Sequence, residues 1–85
     1  MNRRRLLRRL SQGALQNVRF RDFVDLVEGF GFRLSRVRGS HHIFVHSAVA
    51  ELVNLQDVGG EAKPYQIRQF LRLVERYNLQ LEGEL

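Results

Sequence analysis

The densest chemistry in this sequence is Gly39-Ser40-His41-His42, where a glycine turn delivers a hydroxyl and two imidazoles to the start of an apolar run. Imidazole titrates near ~6.5, so a positioned histidine can take up or release a proton close to neutral pH. No acid occurs between Glu28 and Glu51, while Arg33, Arg36, Arg38, His41, His42 and His46 fall in that gap. A local positive field of this kind draws phosphates and other polyanions. RNA brings its own nucleophile, the 2′-hydroxyl, so an imidazole that assists its attack on the adjacent phosphate would cleave the chain without a metal. Arginines beside it would stabilise charge on the phosphoryl oxygens, and DNA would be inert. Against this stands the plainer reading that His41 and His42 are ordinary strand or turn histidines. A metal site is disfavoured: side chains at 41 and 42 alternate across a strand, and no acid is near in sequence to complete a ligand set. Lys63, the only lysine, precedes Pro64 at an expected helix N-terminus, where backbone N–H groups also favour anions.

These residues need elements to hold them. Phe20, Phe23, Val24, Val27 and Phe30 recur at three- and four-residue steps with Arg21, Asp22, Asp25 and Glu28 opposite, which predicts an amphipathic helix ending at about Gly29 to Phe30 before Gly31. Phe32 to Val37 and His41 to His46 read as strands around the Arg38-Gly39-Ser40 turn, and Glu51 to Gln56 as a third strand. Asp57 to Gly60 breaks the sheet, with Gly59-Gly60 read as a flexible connection. Pro64 suits the first position of a second helix whose apolar face is Ile67, Phe70, Leu71, Val74 and Tyr77, and Asn78 can end it. Alternation puts His41 with Ile43 and Val45, and His42 with Phe44 and His46. Periodicity leaves open which set faces the core.

The expected class is therefore α+β: a three-stranded antiparallel sheet with two helices on one face, in the α-β-β-β-α order of the double-stranded-RNA-binding domain. Ahead of it, residues 1–16 form a basic N-terminal arm or short helix. Leu6, Leu7, Leu10, Ala14 and Leu15 trace one stripe among five arginines, and the segment reads as an appendage adding non-specific phosphate affinity. Residues 17–79 are the folded domain and residues 80–85 an acidic C-terminal tail.

Composition sets the limits. With 85 residues, 44% hydrophobic and 27% charged, the chain is globular and has room for one small domain, which excludes a large multi-layer enzyme. The net charge of +5 is uneven: seven arginines and no acid lie in residues 1–21, leaving seven bases against nine acids in the rest. Absence of cysteine excludes a disulfide, a thiolate zinc site and a cysteine nucleophile, and fits a reducing cytoplasm. No apolar run approaches the ~20 residues of a membrane span.

Phe30-Gly31-Phe32, Arg36-Val37-Arg38-Gly39-Ser40-His41-His42-Ile43-Phe44, Asn54-Leu55-Gln56 and Lys63-Pro64-Tyr65-Gln66-Ile67, in that order, resemble the HicA-like toxins of bacterial toxin–antitoxin pairs. The resemblance spans about residues 18 to 79, and the Arg-rich extension lies outside it. It implies a double-stranded-RNA-binding-like fold, cleavage of messenger RNA without the ribosome, which the chemistry above makes independent of metal, and neutralisation by a HicB-like antitoxin. The family's catalytic histidine, the one in Gly-Ser-His, falls on His41, with Gly39 and Ser40 as the supporting turn. Arg33, Arg36, Arg38, His42 and Lys63 are then the expected RNA contacts, with no cofactor, metal or membrane involved. The competing classes are a non-catalytic RNA-binding module of the same fold and a pure protein-interaction domain.

Overall fold

The computed structural model describes residues 2–82; Met1 and the last three residues of the expected acidic tail lie outside the described residues. The core order is the expected one. Helix α2 (Phe20–Gly29) is followed by strands β1 (Arg33–Arg38), β2 (His41–His46) and β3 (Val49–Gln56) and helix α3 (Pro64–Arg76), with a further helix α1 (Arg3–Ser11) ahead of them. The strands form one antiparallel sheet in the order β1-β2-β3. This is the α+β arrangement of the double-stranded-RNA-binding domain.

Local chemistry sets the boundaries. Asn2 caps α1 by accepting the Arg5 N–H at 3.0 Å. The first turn of α2 carries Asp22 at the positive end of the helix dipole. Its other end stops at Gly31, whose φ of +94° is the left-handed conformation that glycine adopts without strain. Proline opens α3, where a missing N–H costs nothing.

The core lies between the helices and one face of the sheet. The Phe70 ring meets those of Phe23, Phe30 and Phe32 edge-on, at centroid distances of 5.5, 5.7 and 5.4 Å. Phe44, Val53 and Leu55 fill the sheet side. Helix α1 belongs to this core as well. Leu6 and Leu10 are 1% and 2% exposed, and the Arg3 guanidinium donates to both carboxylate oxygens of Asp25 on α2 at 3.1 and 2.9 Å.

Two segments differ in detail from the sequence reading. The β2–β3 connection is only Ser47-Ala48, and β3 begins at Val49 rather than Glu51, because His46 Nδ1 accepts the Ala48 N–H at 2.9 Å and tightens the turn. The Gly59-Gly60 stretch is fastened to the start of α2: Phe20 N–H donates to Gly60 O at 2.8 Å and Ala62 N–H to Val18 O at 2.9 Å. No helix among the described residues is long and apolar enough to cross a membrane.

Candidate nucleic-acid interface and histidine site

The register decides what periodicity left open. Phe44 is buried, and the rings on its side of β2 stack on the hydrophobic core: His42 lies 4.8 Å from Phe20 and His46 lies 4.9 Å from Phe32. His41, Ile43 and Val45 therefore face the side of the sheet that no helix among the described residues covers. Along β1 the pairs Arg38↔His41, Arg36↔Ile43 and Arg33↔Val45 bring all three arginines to that open face. Simple alternation would have turned Arg33 away from Arg36 and Arg38. A bulge between Leu34 and Arg36 inserts one extra residue and restores the phase.

Gly39 turns at φ +56°, and a Cβ there would meet nothing within 4 Å, so the turn needs glycine for its backbone angle rather than for space. Ser40 is held twice. Its hydroxyl accepts from Gln56 Nε2 at 3.2 Å, and its carbonyl accepts the Asp57 N–H at 2.9 Å. The Gln56 N–H in turn donates to Oε1 of the buried Gln66 on α3 at 2.8 Å, so turn, β3 and α3 are tied at one end of the sheet. His41 stands at that end with Nδ1 at 3.1 Å from Asn54 Oδ1.

The remaining expected contacts are less uniform. His42 is half-buried on the helix side, and its Nδ1 lies 3.3 Å from Ser40 O, so it does not share a face with His41. Lys63 sits just before α3 with its ammonium 5.5 Å from the centre of the Tyr65 ring, a cation–π contact at the same end of the sheet. Residues that the sequence reading passed over include Asn54 and Gln56, and also Arg19 and Arg21. The last two line a surface depression of about 420 Å³ with Asp57, Gly59, Gly60 and Glu61, where two carboxylates offset the two guanidiniums. Among the described residues no three histidine, aspartate or glutamate side chains gather closely enough to hold a metal ion.

One titrating cluster lies away from this face. Tyr77 hydroxyl and Arg76 both donate to Glu51, joining the C-terminal end of α3 to β3. The Tyr77 hydrogen bond, foremost, and the Arg76 charge hold the Glu51 carboxyl below the usual carboxylate range, and the same bond raises Tyr77.

Comparison with known proteins settles the family. The family described as the HicA toxin of bacterial toxin–antitoxin matches residues 20–75, which runs from the first residue of α2 almost to the end of α3. The chain belongs to the HicA toxin family. No curated protein and no solved structure matches it. Membership implies a cognate antitoxin as partner. Helix α1 lies outside the matched HicA span, although its leucines are part of the same core.

Proposed function

We propose that the protein is a toxin that cuts messenger RNA through His41 without a metal ion, acts in the cytoplasm, and is silenced by a HicB-like antitoxin. The observation that supports this reading is the shared face: among the three histidines, His41 alone lies with Arg33, Arg36 and Arg38 on the uncovered side of the sheet. RNA laid on that side places a phosphate between the Arg38 guanidinium and the His41 imidazole, which are cross-strand neighbours. The imidazole takes the proton of the 2′-hydroxyl as the 2′-oxygen bonds to phosphorus. Arg38 stabilises the negative charge gathering on the phosphoryl oxygens. The bond from phosphorus to the 5′-oxygen then breaks, that oxygen takes a proton from solvent, and the imidazolium returns its own to solvent. The products are a 2′,3′-cyclic phosphate and a 5′-hydroxyl. Gly39 and Ser40 fix the turn that presents His41, while Arg33, Arg36 and Lys63 hold flanking phosphates. His42, with its ring on Phe20, acts through packing beside the site.

The test is incubation of purified protein with messenger RNA, with and without chelator. Fragments with cyclic-phosphate ends are expected in both conditions. His41→Ala should retain the fold and antitoxin binding and lose about 10²–10⁴-fold in rate, the usual contribution of a general acid–base group. His42→Ala should lower stability, since it removes the ring on Phe20. Binding without fragments would convert the reading to an RNA-binding module, and neither binding nor fragments to a domain that engages only protein. Cleavage lost in chelator and restored by added metal would refute the mechanism.

A further inference from the structure

We infer that Asn54 is the positioning residue for His41, selecting the imidazole tautomer whose Nε2 is free to accept a proton; the inference rests on the catalytic reading of His41 above. His41 pairs directly with Gln56 across the β2–β3 ladder, and Asn54 is its diagonal neighbour two residues away on β3. Both side chains lie on the open face, and His41 Nδ1 stands 3.1 Å from Asn54 Oδ1. An amide oxygen only accepts, so the ring nitrogen facing it must be the one that carries hydrogen. With Nδ1–H committed to Asn54, the neutral ring has its lone pair on Nε2. His41 is then set as a base toward the 2′-hydroxyl rather than as an acid. A histidine whose second nitrogen is held in this way has both its tautomer and its ring plane fixed by the partner.

The neighbouring side chains support the division of labour. The Gln56 amide, nearer in the ladder, is engaged with Ser40 Oγ, and its backbone N–H with Gln66. It anchors the turn and leaves Asn54 to the ring. The other two histidines have different partners. His42 Nδ1 faces the Ser40 carbonyl, and His46 Nδ1 accepts a backbone N–H, which puts the proton of the neutral His46 ring on Nε2. The opposite tautomers expected for His41 and His46 give an internal contrast within one strand.

The experiment has two arms. In the first, imidazole nitrogen chemical shifts of the isotope-labelled full chain, without RNA, report the tautomer of each histidine. Neutral His41 should carry its hydrogen on Nδ1 and His46 on Nε2, and Asn54→Leu should convert His41 to a mixture while leaving His46 unchanged. In the second, single-turnover cleavage is followed across pH. Asn54→Leu should slow cleavage about ten- to a hundredfold, the size of loss that follows removal of the outer partner of a metal-bound histidine, with RNA affinity unchanged. Asn54→Asp keeps the acceptor and places a negative charge beside the imidazolium. It should therefore rescue the rate at high pH and move the rising limb of the pH profile upward. A native His41 with hydrogen on Nε2, or an Asn54→Leu protein with the native tautomer and rate, would overturn the inference. Absence of cleavage by the unsubstituted protein would instead remove the catalytic reading, and the tautomer assignment would then be judged on the spectra alone.

Discussion

Replacing Leu10 with alanine tests whether α1 is part of the folded unit. Leu10 is 2% exposed, so its whole side chain leaves water on folding. Core Leu→Ala substitutions cost about 2–5 kcal/mol, depending on how far the neighbours close over the space left behind. Here the site borders an open groove of about 530 Å³ lined by Leu7, Leu15, Leu71 and Val74, whose side chains have room to shift inward. That argues for the lower part of the range, about 2–3 kcal/mol. A domain of 85 residues has a total stability of about 4–13 kcal/mol. The substitution should thus remove a substantial share, and with a urea slope of about 1 kcal/mol/M the midpoint should fall by about 2–3 M. Circular dichroism through a urea titration measures it, with Leu7→Ala, only half-buried, as the milder control. An unchanged midpoint for Leu10→Ala would refute the placement of α1 in the core and return it to the standing of a detachable arm.

Two further outcomes are expected. Because the folded-state pKa of Glu51 is lowered, the Glu51–Tyr77–Arg76 link contributes fully above the ordinary carboxylate value of about 4.3 and is lost as pH falls through the lowered one; because Tyr77 is raised, its contribution holds below about 10 and is lost at higher pH. Thermal melts of Glu51→Gln against the unsubstituted chain should converge at acid pH and separate near neutrality, and equal separation at all pH values would contradict the assignment. Gly31→Ala should destabilise the fold by about 1–3 kcal/mol, since φ is +94° and the added Cβ would lie 2.9 Å from Glu82 Oε2 and 3.0 Å from His46 Nε2. A melting temperature equal to the parent's would show that the turn after α2 is not constrained as described.

The order of elements was legible because punctuation and periodicity agree. Gly31 after an amphipathic run, Gly39 between two β-rich runs and Pro64 before another amphipathic run each have one natural placement. The choice between the two faces of β2 was not legible, because both carry a mixture of histidine and apolar residues. It is settled by the ring stacks on Phe20 and Phe32, contacts that join residues distant in sequence. Asn54 was invisible for a related reason. A diagonal partner can be named only when the register between two strands is known, and here it rests on the two-residue turn at Ser47-Ala48 together with an irregularity between Phe44 and His46 that takes up two extra residues of β3, which the sequence does not signal. The leucine stripe of α1 was visible, but isolated short helices are marginal. What makes this one part of the core is the surface it meets, assembled from other elements.

The bulge in β1 has a consequence beyond the alignment of charges. β1 is an edge of the sheet, every one of its residues is exposed, and Leu34 and Val37 are 45% and 49% exposed on the side away from the arginines. A flat, apolar edge with unpaired backbone groups is a template onto which another copy of the chain can add its own strand. The extra residue bends the edge and raises its local twist, and three like charges in phase repel an approaching copy. The features that would hold a phosphate backbone are thus also ones that oppose edge-to-edge pairing of two copies. On the proposed function, neutralising Arg33, Arg36 and Arg38 together should weaken RNA capture and at the same time lower the barrier to edge-to-edge pairing, so the two losses must be separated by following solubility alongside affinity.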